Sequence, residues 1–135
     1  MANRQPLIAV IDDEESVRLA LARMLRASSY DVSIYRNGED FLESLKTSMP
    51  DCAVLDFQMP GLTGRDVQRA LTVAKLHLPV IIVTAHDQPS LREKVLADGA
   101  VAYFTKPLRR DILIAAVNQA IQRAPLVPGT SDPVT

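Results

Sequence analysis

Residues 51–64 read Asp51-Cys-Ala-Val-Leu-Asp-Phe-Gln-Met-Pro-Gly-Leu-Thr-Gly64. A short, wholly apolar run, Cys52–Leu55, ends on a carboxylate at Asp56 and then meets the turn signal Met59-Pro60-Gly61. Such a run, without polar alternation, is expected of a strand covered on both faces. Upstream, Leu7–Ile11 has the same character, and so has Val80–Val83 downstream, directly after Pro79. Asp31–Tyr35 and Ala102–Thr105 are weaker strand candidates. Helical periodicity fills the gaps at Glu15–Arg26, Glu39–Lys46, Arg65–Lys75, Ser90–Asp98 and Asp111–Arg123. The first of these helices aligns Val17, Leu21, Met24 and Leu25, and the last aligns Ile112, Ala116, Val117, Ala120 and Ile121. Asn37-Gly38 marks a further turn, and Gly99 stands where a helix end needs a residue at positive φ. Strand and helix thus alternate five times, which predicts an α/β fold: a doubly wound five-stranded parallel sheet with five helices on its two faces.

A chain of 135 residues, 47% of them hydrophobic, is long and apolar enough for one domain with its own core. With 15 basic and 16 acidic side chains the formal charge is −1, which gives neither a basic footprint for nucleic acid nor an acidic tail. Cys52 is the only cysteine, so an intramolecular disulfide is excluded. No apolar run approaches the roughly 18 residues that cross a bilayer, and the first residues lack the apolar stretch of a signal peptide. A cytoplasmic, reducing setting is the expectation. From Ala124 the composition turns to Pro125, Pro128, Gly129 and Pro133, so residues 1–123 are expected to form the domain and 124–135 a flexible tail or linker.

Chemistry is concentrated at the ends of the expected strands. Asp12 and Asp13 close the first, Asp56 the third, Thr84 the fourth and Lys106 the fifth. In a doubly wound sheet these ends share one rim, where such folds hold their ligands. Carboxylates about 4 Å apart repel by roughly 4 kcal/mol at an effective dielectric of about 20. Lys106 is one source of compensating charge; a hard divalent cation, Mg²⁺, is another. The set suits phosphoryl transfer onto a carboxylate nucleophile, with cation and lysine neutralising the transferring oxygens. Thr84 could then hydrogen-bond a phosphoryl oxygen, and the small Ala85 leaves the entrance open.

Each residue alone also has a plainer role. Asp12 or Asp13 could cap the following helix, and Asp56 could cap a turn. Thr84 could be an ordinary strand residue and Lys106 a solvated charge. The joint pattern at four of five strand ends decides for the chemical reading.

These segments resemble the receiver domains of two-component response regulators. The match runs through Ile8-Ala-Val-Ile-Asp-Asp-Glu14, the Asp51–Gly64 stretch, Leu78-Pro-Val-Ile-Ile-Val-Thr-Ala85 and Gly99-Ala-Val-Ala-Tyr-Phe-Thr-Lys-Pro107. Asp56-Phe-Gln-Met-Pro and Thr84-Ala-His86 look similar to receivers of nitrogen-fixation-type transcriptional regulators. The resemblance implies a flavodoxin-like sheet in the order 2-1-3-4-5. It implies that Asp56 accepts phosphate from a histidine kinase or phosphotransfer protein, and that Asp13, Asp56 and the backbone carbonyl of Gln58 ligate Mg²⁺, with Asp12 acting through bound water. Lys106 would contact the phosphate and precede a cis bond to Pro107. Thr84 and Tyr103 would form a switch pair, Tyr103 turning inward as Thr84 moves; a tyrosine there is equally compatible with an inert core aromatic. The surface of residues 90–98, 102–105 and 111–123 would then change toward an output domain, an effector or a second copy of the chain. Such a domain catalyses only its own phosphorylation and dephosphorylation, and the resemblance implies no direct contact with nucleic acid or membrane.

Several positions depart from the family pattern. Ser28-Ser29 stands where a glycine is usual, which predicts a less firmly capped helix end. Thr63 and Ala102 replace acidic residues and Leu108 a phenylalanine. Gln58 and His86 occupy positions that tune acyl-phosphate hydrolysis. His77 reads as a surface residue, His86 as a solvated or hydrogen-bonding side chain, and Cys52 as a small buried hydrophobe. Competing readings are a receiver-like binding module that works without phosphate, and a phosphohydrolase with an aspartate nucleophile. The intact chemical positions oppose the first, and the adjacency of Asp12 and Asp13 opposes the second. A dinucleotide enzyme is opposed by the lack of a Gly-rich turn after the first strand.

Overall fold

The computed structural model describes residues 5–123; the expected tail or linker at 124–135 lies outside them. Among the described residues, five strands and five helices alternate: β1 (Leu7–Ile11), α1 (Glu15–Ala27), β2 (Asp31–Tyr35), α2 (Gly38–Ser44), β3 (Cys52–Asp56), α3 (Gly64–Val73), β4 (Val80–Thr84), α4 (Leu91–Ala97), β5 (Ala102–Thr105) and α5 (Arg110–Arg123). The strands form one parallel sheet in the order β2-β1-β3-β4-β5, the expected topology.

Side-chain alternation divides the strands between two apolar layers. Ile8, Val10, Cys52, Val54, Ile81 and Val83 face Leu21 and Leu25 of α1 and Leu113 and Val117 of α5. Ala9, Ile11, Ala53, Leu55 and Ile82 face Phe41 of α2, Val67 and Leu71 of α3, and Leu91 and Val95 of α4. Every residue of β3 and β4 is buried, whereas the edge strands β2 and β5 are only partly covered. This explains why the central strands read as continuous apolar runs and the edges do not.

The end of α1 modifies one expectation. Ser29 takes the left-handed conformation at φ 71°. The N–H of Tyr30 donates to the Leu25 carbonyl at 3.2 Å and that of Ser29 to Arg26 at 3.1 Å. The full Schellman pair therefore forms without glycine, at a conformational cost of about 1 kcal/mol. Gly99, at φ 108°, ends α4 as expected.

Candidate functional site at the C-terminal rim

Parallel register brings the strand ends together. Ile11 pairs with Leu55, so Asp12 leaves β1 beside Asp56. Asp56 pairs with Val83, and Thr84 with Thr105. The Lys106 N–H donates to the Thr84 carbonyl at 2.8 Å, which carries the lysine onto the same rim. Lys106 is followed by a cis bond to Pro107, as expected.

Asp12, Asp13 and Asp56 offer carboxylate oxygens that all lie within 4.8 Å of one another, Asp12 and Asp56 buried and Asp13 exposed. Lys106 bridges the buried pair, its Nζ 2.7 Å from Asp12 Oδ2 and 3.3 Å from Asp56 Oδ1. Burial, then the charge of Asp12, push the Asp56 carboxyl up to about 7, against the opposing pull of Lys106. Burial is also the largest influence on Lys106, where it opposes the ammonium. The hydrogen bonds and charges of Asp12 and Asp56 together outweigh it, so the lysine is held above its ordinary pKa.

Two backbone features hold these groups in place. Asp12 Oδ1 accepts from the Glu14 N–H at 2.9 Å, and the Asp12 carbonyl accepts from Arg18 Nη1 at 2.8 Å. Asp12 therefore orders the β1–α1 turn, but the N-cap residue of α1 is Glu14, which makes no side-chain cap bond. Gly64 packs against the far side of Asp56: a Cβ there would come within 2.8 Å of Phe57 Cα and 3.0 Å of the Asp56 carbonyl oxygen. Sequence reasoning gave Gly64 no role, because the clash exists only once the loop returns beneath the strand.

The fourth and fifth strand ends differ from the first and third. Thr84 is fully buried, and its Oγ1 accepts from the His86 N–H at 3.2 Å and donates to the His86 carbonyl at 3.4 Å. Its hydroxyl is thus engaged by the loop that follows. Gln58 lies two residues past Asp56 with an exposed side chain. Tyr103, expected to turn inward when Thr84 moves, already stands inside: it is 5% exposed and packs in the same apolar layer as Leu91 and Val95. The physical reason is a partner for its phenol, which donates to Asp87 Oδ1 at 2.7 Å. Asp87 was also missed, since an acidic residue in a polar loop carries no periodic signal.

A flavodoxin-like sheet with an acidic pocket and a lysine on its C-terminal rim defines the class. The model of the response regulator receiver domain matches residues 8–118, and the chain belongs to that family. It is 33% identical over 125 residues to the response regulator protein TodT of Pseudomonas putida, covering 93% of this chain and 55% of that protein. It is 30% identical over 122 residues to nodulation protein W of Bradyrhizobium diazoefficiens, covering 90% and 54%. The chain spans about half the length of these curated relatives. Among solved structures, the FixJ-N crystal structure superposes with a TM-score of 0.83 at 28% identity, covering 94% of this chain and all of the other. The receiver domain of the Francisella response regulator 1452 gives 0.83 at 28% identity, covering 88% and 98%. Receiver membership implies phosphorylation-dependent signalling. Among the described residues, no helix is long and apolar enough to cross a membrane.

Proposed function

We propose that the chain is a Mg²⁺-dependent phosphoacceptor switch in which Asp56 takes a phosphoryl group from a histidine kinase or phosphotransfer protein. The observation that carries the reading is the convergence of three carboxylates within 4.8 Å, with Lys106 touching the two buried ones. A single ammonium leaves this cluster net negative, and burial, reinforced by the charge of Asp12, raises the Asp56 carboxyl. An all-oxygen donor set with excess negative charge suits a hard divalent cation. Asp13, Asp56 and the Gln58 carbonyl would hold it, with Asp12 acting through bound water. When bound, the cation neutralises charge on the transferring oxygens.

The chain's own residues do the rest. Asp56 supplies the attacking carboxylate oxygen, which bonds to phosphorus as the donor's nitrogen or oxygen departs with its electron pair. Lys106, already between Asp12 and Asp56, turns one N–H toward the arriving phosphoryl group. Thr84 trades its bonds to His86 for one to a phosphoryl oxygen. That exchange reshapes the loop after β4 and so the surface of α4, β5 and α5, where an output domain, an effector or a second copy would respond. The receiver unit is proposed to end with α5.

Acetyl phosphate with Mg²⁺ should give acid-stable, hydroxylamine-labile label on the wild-type chain and none on Asp56→Asn. Full labelling of that variant would sink the assignment. Multiple turnover of a small phosphate ester would favour the phosphohydrolase instead; none is expected.

A further inference from the structure

We propose that Asp87 is a positioning residue: it holds Tyr103 in the buried rotamer and couples it to the loop that leaves Thr84. This rests on the receiver reading and adds the residue through which a movement at Thr84 reaches the tyrosine.

A buried phenol needs an acceptor, and an unmet one costs far more than a made bond gains. Here the acceptor is neither backbone nor core. It is an exposed carboxylate in the loop at 85–90, joined to Tyr103 across sixteen residues of sequence by a 2.7 Å bond. A charged acceptor makes this bond stronger than a neutral one would. Packing alone could bury the ring of an inert core aromatic; it would not require a loop carboxylate to be aimed at the hydroxyl.

The loop joins both members of the expected switch pair. Thr84 is bonded through Oγ1 to His86, and the next residue is Asp87. At the far end, Ser90 closes the loop in the left-handed region at φ 67° without a side-chain cap bond, which costs roughly 1–2 kcal/mol. Arg92, in the first turn of α4, donates through Nη1 to the Tyr103 carbonyl at 3.4 Å. Tyr103 is therefore tied to the segment that begins at Thr84 through its hydroxyl, which also meets the Gln88 backbone N–H, and through its own carbonyl. When Thr84 gives up His86, the backbone carrying Asp87 loses its nearest anchor, and the tyrosine bond is the next one loaded. With that bond intact, Tyr103 stays inside and moves with the loop. Without it, the ring can leave the core, and its inward position comes to depend on phosphorylation.

The test uses the full chain labelled with 3-fluorotyrosine. Its tyrosines are Tyr30, Tyr35 and Tyr103, and the Tyr103 signal is assigned with Tyr103→Phe. Fluorine broadening by a dissolved gadolinium chelate reads ring accessibility; Tyr30 and Tyr35 report the fold. In the wild type, the Tyr103 signal should be protected both with and without beryllofluoride and Mg²⁺. In Asp87→Ala, accessibility should rise by about tenfold, the loss expected of a bond to a charged acceptor. Asp87→Asn keeps an acceptor oxygen and should stay within about twofold of the wild type. Unchanged protection of Tyr103 in Asp87→Ala, with Tyr30 and Tyr35 also unchanged, overturns the proposal. Equal exposure of Tyr103 in the Ala and Asn variants overturns it too, since the acceptor oxygen would then be irrelevant. The receiver reading is scored separately in the same samples: backbone amides of Asp56 and Thr84 that ignore beryllofluoride would defeat that reading, whatever Tyr103 does.

Discussion

The ends of β1 and β3 and the ends of β4 and β5 lie on one rim, yet they are built in opposite ways. The first pair is fixed from beneath. Ile11 and Leu55 have no exposed surface, Asp12 is bonded into its turn, and Gly64 packs on the Asp56 backbone. The second pair is held from above, by the exposed loop at 85–90 with its left-handed Ser90 and the Asp87–Tyr103 bond. Reaction requires carboxylates that do not move, because a displacement of about 1 Å can cost a hundredfold in rate. Signalling requires a segment whose alternatives differ by only a few kcal/mol. On the proposed function the two demands fall on adjacent strand ends, so removing a support of the buried carboxylates, including Lys106, which reaches them from the end of β5, should be costly to the fold, and changes in the loop at 85–90 should be cheap.

Lys106→Ala should break the first region most severely. It leaves Asp12 and Asp56 buried without their cation, and removing one partner of a buried pair costs about 3–5 kcal/mol. Urea unfolding at pH 8 without divalent ions should show a loss of that order, and a smaller one at pH 5, where Asp56 takes up a proton. A loss under about 1 kcal/mol, the range of an exposed pair, would mean that the rim is not desolvated.

Asp56→Asn sharpens the same point in the other direction. The folded-state pKa is about 7 against an ordinary value of 3.8. The native state therefore binds the proton more tightly than the unfolded chain, and the stability this contributes is lost as pH rises through 7. The variant should be more stable than the wild type at pH 8, by roughly 2 kcal/mol, and equal to it near pH 4. Parallel denaturation curves across that window check the sign.

Asp13→Ala separates metal binding from folding. The side chain is exposed, so stability in the presence of a chelator should change by less than about 0.5 kcal/mol. Saturating Mg²⁺ should stabilise the wild type by about 1–2 kcal/mol, and this gain should disappear in the variant. Thermal melts with and without Mg²⁺ read both effects. Asp87→Ala, in the second region, should cost far less than Lys106→Ala, under about 1.5 kcal/mol by denaturant unfolding, because its carboxylate is solvated. A cost as large as that of Lys106→Ala would erase the contrast between the regions.

How much of this could be read from the sequence follows the same division. β1, β3 and β4 are covered on both faces, so their apolar runs gave them away, and with them the shared placement of Asp12, Asp13, Asp56 and Thr84. β2 and β5 are half-solvated edges and were correspondingly faint. Helix limits moved by a residue or two, since caps such as Thr63, which accepts from Asp66 N–H and completes a capping box, depend on local geometry. Gly64 and Asp87 were not legible as site residues. The role of Gly64 is a tertiary near-collision, and the partner of Asp87 lies in another strand. A buried Tyr103 was within reach of the sequence as a core aromatic, but its partner was not: its sequence neighbours do not disclose that a loop carboxylate meets its hydroxyl.

The most direct test of the account is to locate the phosphoryl group. After brief treatment with acetyl phosphate and Mg²⁺, borohydride reduces an aspartyl phosphate to homoserine with release of inorganic phosphate, and peptide mass spectrometry finds the altered residue. Homoserine is expected at position 56 alone, with Asp12 and Asp13 untouched. Homoserine at 12 or 13, or unaltered Asp56 in a chain that carries label, would contradict it.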